Sequence, residues 1–209
     1  MKIAVVGSTG RTGFEIVQQA LARGHHVRAW ARTPEKMATT HPQLQIDTVD
    51  ILHTDLAPAL QDVDAVIVSL GGAQLKDTST RSTGTQRLVD AMQKQGVDRI
   101  VIISSAGVGD SIHQLDEQGQ HVVRTIIKEA VEDHGRQEAL VQQSDLRWTI
   151  LRPGGLSAEP LTRYEADTTG TLRISRISRA AVADLALNAL EDDQSVGKIY
   201  TLRQSDDAS

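Results

Sequence analysis

The chain lacks several features that would assign it to a functional class at once. It contains no cysteine, which excludes disulfides, thiolate metal sites and thiol nucleophiles and favours a cytoplasmic location. No apolar run approaches the roughly 18 residues that a membrane-spanning helix needs, so we expect no membrane partner. The net charge of −5 argues against nucleic acid as a partner, because proteins that bind it present a basic surface.

Two kinds of catalytic site are also unsupported by the residue spacing. The histidines show no His-x-x-x-His pair and no carboxylate at ligand spacing, so we predict no metal site. No G-x-S-x-G motif is present, which argues against serine hydrolysis. We expect His134 to lie on the surface of a helix; a place at the rim of the fold is the alternative.

What the chain does have is a glycine-rich turn near its amino terminus. Residues 2–6 are typical of a buried strand, three glycines follow at the spacing G-x-x-G-x-x-G, and an amphipathic helix begins. Gly7 permits a tight turn, Gly10 lets an anion approach the backbone, and Gly13 lets the helix pack closely. The turn is completed by Ser8, Thr9, Arg11 and Thr12. This order predicts a βα unit that binds a diphosphate at the start of the helix.

Strand and helix patterns alternate along the rest of the chain. Strands are predicted over 2–6, 25–31, 44–49, 65–70, 99–103, 148–151 and 198–202, with a short strand over 171–175. Helices are predicted over 12–23, 56–60, 82–95, 121–143 and 178–190, the last with Ser178 as its N-cap. Loops are predicted over 106–119 and 156–170, and a frayed tail over 204–209. The alternation indicates an α/β fold: a single doubly wound domain with a mostly parallel sheet and helices on both faces.

The candidate site lies at one rim of this sheet. Ligands of doubly wound sheets bind outside the carboxyl ends of the strands. The segments that follow strands are 7–13, 32–36, 50–51, 70–72, 104–105 and 153–155. We therefore expect these six segments to surround the ligand.

Basic residues follow the second strand. An acid there would hold the ribose 2′-hydroxyl of NAD, but the chain has Arg32, with Lys36 beyond it. A guanidinium matches a phosphate through paired donors. We therefore predict NADP(H) in preference to NAD(H), with Arg32 on the 2′-phosphate and Lys36 or Arg11 assisting. The alternative is that Arg32 is only a solvated surface charge.

Asp50 and Ile51 follow the third strand and suit an adenine ring. Ile51 offers an apolar contact, and the Asp50 carboxylate is able to accept a hydrogen bond from the exocyclic amine. The alternative for Asp50 is that its carboxylate caps the helix that follows.

Four segments of the sequence resemble the atypical short-chain dehydrogenases/reductases. They are Gly7-Ser8-Thr9-Gly10-Arg11-Thr12-Gly13, Asp62-Val63-Asp64-Ala65-Val66-Ile67 before Gly71, Ile102-Ile103-Ser104-Ser105, and Thr149-Ile150-Leu151-Arg152-Pro153-Gly154. Within that group the chain most resembles the flavin reductase/biliverdin-IXβ reductase branch and the related NmrA-like proteins. The resemblance implies a Rossmann domain over 1–203 that binds NAD(P) and includes a small substrate-side lobe at about 154–180.

The resemblance also implies roles for particular residues. The diphosphate would be bound by Thr9, Gly10, Arg11 and Thr12, within the turn that also contains Gly7, Ser8 and Gly13. The 2′-phosphate would be bound by Arg32 and Lys36, and the adenine would be flanked by Asp50 and Ile51. The ribose side would be lined by Leu70, Gly71 and Gly72. The nicotinamide would be bordered by Ser105, Pro153 and Gly154, with Ser104 beside them in the cofactor site.

The chain departs from the family at two points. The usual catalytic pair, Tyr-x-x-x-Lys, is absent, because neither Tyr164 nor Tyr200 has a lysine four residues on. The reductase branch carries a histidine after its sixth strand, where this chain has Gly154 and Gly155. We expect the two glycines to leave open space over the nicotinamide.

These observations favour an oxidoreductase that transfers hydride from NADPH to a flat acceptor such as a flavin or a quinone. Such acceptors need no protein acid, since solvent delivers the proton, and the cofactor carries the chemistry. Ser105 is the candidate catalytic residue, in an orienting role; the alternative is that its hydroxyl caps its own backbone. Two other hypotheses stay open: an NADP(H)-sensing regulator without catalysis, and an enzyme similar to nucleotide-sugar epimerases/dehydratases, which the missing Tyr-x-x-x-Lys disfavours.

Overall fold

The structure, a computed structural model, describes residues 1–37, 39–71 and 79–205. Gly72, which we expected at the ribose side of the cofactor, lies outside the described residues, as do positions 206–209 of the tail. Within the described ranges, no helix combines the length and the apolar character needed to cross a membrane.

A mostly parallel sheet forms the centre of the molecule. The strands of the described chain are β1 (Lys2–Val6), β2 (His26–Ala31), β3 (Leu44–Thr48), β4 (Ala65–Val68), β5 (Arg99–Ile103), β6 (Arg147–Pro153), β7 (Leu156–Ser157), β8 (Tyr164–Asp167), β9 (Ile177–Ser178) and β10 (Lys198–Gln204). Eight of them pair in the order β3-β2-β1-β4-β5-β6-β10-β8, and β7 pairs with β9 separately. Only β8 runs antiparallel to its neighbour. The predicted doubly wound Rossmann fold is confirmed, with its switch point between β1 and β4.

Helices cover both faces of the sheet. They are α1 (Arg11–Ala22), α2 (Ala57–Leu60), α3 (Thr80–Gln95), α4 (Glu117–Thr125), α5 (Lys128–Gln142) and α6 (Arg179–Glu191). Residues of α1 and α6 belong to one apolar core, and residues of α2, α3 and α5 belong to the other. Successive side chains of a strand point to opposite faces, so Ile3 and Val5 enter the first core and Ala4 and Val6 the second.

The single helix expected over 121–143 is two helices, α4 and α5. The helix is interrupted where the amides of Ile126 and Ile127 both donate to the carbonyl oxygen of Val122, at 2.8 and 3.1 Å. Most residues between positions 122 and 127 are β-branched, and such side chains lose rotamer freedom in a helix. The break is therefore a local weakness in helix propensity that the apolar periodicity hid.

The region after β6 is more ordered than its sequence indicated. The loop predicted over 156–170 contains β7 and β8. The strand predicted over 171–175 is wrong, because the Asp167 carboxylate accepts hydrogen bonds from the amides of Thr171 and Leu172, at 3.1 and 3.3 Å. Side chains that bond nearby amides compete with strand formation. Strand pairing resumes at β9.

Two further segments are more ordered than the sequence predicts, and the start of α6 is as predicted. The loop expected over 106–119 contains a 3₁₀-helix at Gly109–Gln114 and the start of α4. The tail expected to fray from position 204 is paired through Gln204 in β10. Ser178 caps α6 as predicted, because its hydroxyl accepts from the Ala181 amide at 3.1 Å.

Candidate functional site

The glycine turn between β1 and α1 has a shape that requires glycine at two of its three glycine positions. Gly7 has a φ of +81°, and a Cβ there would lie 2.3 Å from the carbonyl oxygen of Ser69. A Cβ on Gly13 would lie 2.2 Å from the carbonyl oxygen of Gly7. Both distances are closer than Cβ atoms approach backbone oxygens. Gly10 is less constrained, since its Cβ would lie 3.2 Å from the same oxygen.

The first turn of α1 presents its amide groups without a side-chain cap. Its N-cap residue is Gly10, which has no side chain to accept a hydrogen bond, and the turn contains no acid. Thr12 and Gly13 are buried against the strand, whereas Arg11 is exposed. Uncapped amides and the helix dipole both attract an anion. The turn therefore has the geometry of a diphosphate cradle.

Ser8 uses its side chain within the fold. The hydroxyl is buried and donates to the carbonyl oxygen of Trp30 at 2.8 Å. This bond ties the glycine turn to the end of β2. The Ser8 hydroxyl therefore shapes the turn, and Ser8, although predicted as a cofactor-binding residue, does not line the cavity described next.

A cavity of about 350 Å³, called the first cavity here, opens between the glycine turn and the ends of β2, β3 and β4. Its volume is in the range of small-molecule sites. Predicted site residues that line it are Gly7, Thr9, Gly10, Arg32, Lys36, Asp50, Ile51, Leu70 and Gly71. The fold therefore brings four of the six predicted rim segments to one space.

Two arginines near the end of β2 have different roles. Arg28 binds the Asp47 carboxylate with two donors, Nε at 2.8 Å and Nη2 at 3.0 Å. Arg32 and Lys36 are exposed, and the described part of the chain provides neither of them with a hydrogen bond or an ion pair. The Arg28 guanidinium is thus used within the fold to bind Asp47. Arg32 and Lys36, which line the first cavity, are the cations that a ligand phosphate can contact.

Asp50 caps a turn and also lines the first cavity. Its carboxylate accepts from the amide of Leu52 at 2.9 Å, and its own amide donates to the Thr54 hydroxyl, also at 2.9 Å. The capping alternative is therefore present in the structure, although the cap closes a turn before α2 and not the helix itself. Ile51 is buried beside it and supplies an apolar wall.

Trp30 is a lining residue that the sequence analysis missed. It lies near the end of β2 with 2% of its surface exposed, and it lines the first cavity. Its indole Nε1 is buried and has no hydrogen-bond partner among the described residues. Buried donors are nearly always paired in folded proteins, so this unpaired N–H marks Trp30 as a candidate contact for a ligand of the first cavity. A tryptophan near the end of a strand that leads to the rim, in a chain so poor in aromatics, was the available signal.

A second cavity, of about 630 Å³, lies at the ends of β5 and β6. Its apolar wall includes Leu115, Val122, Val123 and Ile127, from α4 and its flanks. The predicted residues that line it are Ser105, Pro153 and Gly154. The Ser105 hydroxyl donates to the carbonyl oxygen of Ala106 at 3.0 Å, which is the capping alternative, and leaves its oxygen as an acceptor.

The two glycines after β6 differ, and our expectation holds for one of them. A Cβ on Gly154 would lie 2.2 Å from the carbonyl oxygen of Ser175, so the space above Gly154 is filled by backbone. A Cβ on Gly155 would meet nothing within 4 Å. Of these two glycines, Gly155 is therefore the one that faces open space.

Ser104 belongs to a buried charged network and lines neither cavity. Its hydroxyl donates to Glu138 Oε1 at 2.5 Å, and Arg152 Nη2 donates to Glu138 Oε2 at 2.7 Å. Burial disfavours the charged guanidinium, but the hydrogen bonds and charge of Glu138 raise the pKa of Arg152 overall. The network joins β5, β6 and α5, and Ser104 is corrected from a cofactor contact to a part of it.

Tyr164 is placed away from both cavities. Its hydroxyl donates to Asp184 Oδ2 at 2.7 Å and connects β8 to α6. Burial and the Asp184 carboxylate raise the pKa of this phenol. The side chain therefore does not replace the missing acid of the Tyr-x-x-x-Lys pair.

His134 is buried, so the expected surface position is wrong. Nδ1 of its ring lies 3.3 Å from Gln137 Oε1, within α5. Burial, followed by the charge of Arg81, lowers the pKa of His134 to about 4. The ring is consequently neutral near pH 7. Its burial follows from the packing of α5 on α3, which the sequence pattern of α5 alone does not show.

Comparison with known proteins identifies the family. A family model described as NAD(P)H-binding matches residues 7–193, and the chain belongs to this NAD(P)H-binding, oxidoreductase-like family. An uncharacterized chloroplastic protein of Arabidopsis thaliana is 34% identical over 212 residues, which cover 96% of this chain and 76% of the relative. The resemblance inferred from the motifs is confirmed at this level.

Two solved structures share the fold along nearly the whole chain. ChuY, an anaerobillin reductase from Escherichia coli O157:H7, has a TM-score of 0.82 and 25% identity, with 100% of each chain covered. A short-chain dehydrogenase/reductase from Veillonella parvula in complex with NADP has a TM-score of 0.81 and 17% identity, and covers 98% of this chain and 95% of its own. The second likeness shows the fold alone.

Proposed function

We propose that the chain is an NADPH-dependent reductase that delivers hydride to a flat acceptor such as a flavin or a quinone. The observation that carries the proposal is the presence of two unlike cavities at one rim of the sheet. The first has an uncapped helix start and unpaired cations, which suit a charged dinucleotide. The second has an apolar wall and open space at Gly155, which suit a flat conjugated molecule.

The residues of the first cavity fit the dinucleotide in three respects. The amides after Gly10 would bind the diphosphate, because no side chain caps them and Gly10 lines the first cavity. The unpartnered Nε1 of Trp30 would donate to an acceptor atom of the nucleotide. Arg32, with Lys36, would bind the 2′-phosphate, which supports NADP(H) over NAD(H). When bound, the nicotinamide supplies the hydride.

The second cavity would hold and orient the acceptor without acid catalysis. Its described lining contains no tyrosine, lysine or histidine. Ser105 retains an oxygen that accepts a hydrogen bond, and we assign it an orienting role. The apolar wall from α4 excludes water from one face of the acceptor. ChuY, with which the chain shares its whole fold, is an anaerobillin reductase, and this supports a conjugated acceptor.

Oxidation of NADPH by purified protein tests the proposal. FMN, riboflavin and menadione are each mixed with the protein and NADPH, and absorbance is followed at 340 nm. We expect turnover with at least one acceptor and a lower KM for NADPH than for NADH. If all acceptors leave the NADPH signal at the rate of a protein-free control, the reductase proposal is wrong.

The lack of an acid in the second cavity also favours a second candidate, an NADP(H)-sensing regulator without catalysis. In that case the first cavity would bind NADPH as proposed, and turnover would be absent. Tight NADPH binding by calorimetry, combined with no oxidation by flavins, quinones or dyes, would identify the sensor. Weak binding of NADPH would argue against both candidates.

We further propose a cytoplasmic location, which the absence of cysteine supports. The description 'chloroplastic' belongs to the Arabidopsis relative and concerns the location of that protein. Fractionation of cells that express the tagged chain tests the location, and recovery in an organelle or membrane fraction would contradict it.

A further inference from the structure

Arg176, which lines the second cavity, lacks the acidic partner that several other arginines of the described chain have, and so do Arg11 and Arg179. Carboxylates lie within 4.0 Å of the guanidinium groups of Arg23, Arg28, Arg81, Arg147, Arg152 and Arg203. Across the described residues, Arg11, Arg176 and Arg179 form neither a hydrogen bond nor an ion pair through their side chains. Unpaired cations at a cavity are a recognition element for an anion.

Arg176 lines the second cavity, and contacts of the neighbouring residues hold its backbone in place. The amide of Ile177 donates to the carbonyl oxygen of Gly155 at 2.9 Å, which places position 176 beside the open space. The carbonyl oxygen of Ser175 packs where a Cβ on Gly154 would be. These contacts hold the backbone on both sides of Arg176, while its side chain remains exposed at the cavity.

Arg179 lies near both Arg11 and Arg176. Arg179 is the first residue of α6 and Arg11 the first of α1, and Gln19 of α1 donates to the carbonyl oxygen of Ala180 at 2.9 Å. Burial and the charges of Arg11 and Arg176 lower the pKa of Arg179. Arg11, at the start of α1, and Arg176, on the wall of the second cavity, are thus both near enough to Arg179 for their charges to act on it. The family resemblance assigns Arg11 to the cofactor diphosphate, which leaves the other two for the acceptor.

We propose that the acceptor of the second cavity is an anion, whose phosphate or carboxylate group is bound by Arg176, with Arg179 adding a second positive charge. The inference rests on the proposed reductase function and narrows its substrate class. The conjugated part of the acceptor lies against the α4 wall. Asp116 is the one acid among the described lining residues; its carboxylate accepts from the Gly119 amide at 2.7 Å and forms no ion pair with Arg176.

Matched acceptors that differ only in charge test the inference. FMN and riboflavin share one ring system and differ by a phosphate; biliverdin and its dimethyl ester differ by two carboxylates. We expect kcat/KM for the anionic member of at least one pair to exceed that of the neutral member by about tenfold, the effect of one charged hydrogen-bond contact. The pair that shows the preference distinguishes phosphate from carboxylate recognition.

Substitution of Arg176 assigns the preference to this site. R176Q is expected to reduce the preference to about twofold or less, and R176K to keep part of it, with the Kd for NADPH unchanged in both. R173Q is the control, because Arg173 is exposed on the same segment but does not line the cavity. Equal loss of anionic and neutral acceptors in R176Q would overturn the assignment.

A binding measurement separates this inference from the reductase proposal. Quenching of flavin fluorescence with saturating NADP⁺ compares FMN with riboflavin without any turnover. Tighter FMN binding that R176Q abolishes supports the anion site, even if the protein oxidises no NADPH and the reductase proposal fails. Equal affinity for the two flavins, or binding of neither, together with equal affinity for biliverdin and its dimethyl ester, overturns the inference while leaving any observed NADPH oxidation valid.

Discussion

The two cavities at the rim of the sheet are built in different ways. The first takes its shape from backbone: a glycine turn that admits no Cβ at Gly7 or Gly13, and an uncapped helix. The second takes its shape from packing, because α4 contributes Val123 to a small apolar cluster, with Val108 and Val131, that is separate from the two main cores. Backbone geometry is rigid, and packing of a small cluster is adaptable. The shape of the first cavity is therefore constrained, and the shape of the second is free to vary.

The largest expected effect is at the backbone end of this comparison. Gly7→Ala places a Cβ 2.3 Å from the carbonyl oxygen of Ser69 at a φ of +81°. We expect a loss of about 3 kcal/mol or more in the free energy of unfolding, with loss of NADPH binding. Gly24→Ala is the matched control, because Gly24 has the same φ but nothing within 4 Å. It should cost about 1 kcal/mol. If urea denaturation showed equal losses in the free energy of unfolding for the two variants, the close contact at Gly7 would not contribute to stability as proposed.

The next effect concerns packing around the second cavity. Gly154→Ala meets the carbonyl oxygen of Ser175 at 2.2 Å, so the segment that carries Arg176 must move. We expect a loss of about 2 kcal/mol in stability and a raised KM for the acceptor, with the KM for NADPH unchanged. Gly155→Ala meets open space and should leave both unchanged. A raised KM for NADPH in Gly154→Ala would mean that the two cavities are not independent.

A smaller effect separates the two arginines of the β2 region. Arg32→Asp should lower the NADPH/NADH ratio of kcat/KM at least about tenfold, because a charged contact to the 2′-phosphate is replaced by repulsion. Arg28→Ala should keep that ratio and lower stability by about 1–3 kcal/mol, since it leaves the Asp47 carboxylate without its guanidinium. An unchanged ratio in Arg32→Asp would contradict the assignment of Arg32.

The smallest effect is at the indole of the first cavity. Trp30→Phe keeps an aromatic wall and removes the unpartnered Nε1 donor, so the Kd for NADPH should rise about threefold to tenfold. Trp148→Phe is the control, because Trp148 packs against the second core and does not line the first cavity. Fluorescence titration measures both. Tighter binding by Trp30→Phe would mean that the indole N–H opposes the cofactor.

What the sequence could predict follows the same division between backbone and packing. The glycine turn, the alternation of strands and helices and the capping of α6 by Ser178 are set by local rules, and the sequence predicts them. The difference between Arg28 and Arg32 depends on Asp47 of β3, a partner that only strand register reveals. The burial of His134 and the network of Ser104 depend on α5 packing on the sheet and on α3. Such long-range contacts leave no periodic signal in a single sequence.

The second cavity is the part of the site that the sequence predicts least. Its wall exists because α4 and α5 are separate helices, and its cation stands there because the segment before β9 packs on Gly154. The first feature arises from a helix break that the apolar periodicity hides, and the second from a contact between residues about twenty positions apart. Arg176 and Asp116 are the charged residues of its described lining, and neither belongs to a recognisable sequence motif.

The central claim is that the first cavity binds a dinucleotide through its diphosphate and its 2′-phosphate. Isothermal calorimetry of the purified chain with NADPH and, separately, with NADH tests it most directly. The account predicts measurable heat with both dinucleotides and at least about tenfold tighter binding of NADPH. No heat from either dinucleotide at millimolar concentration, or tighter binding of NADH, would contradict it.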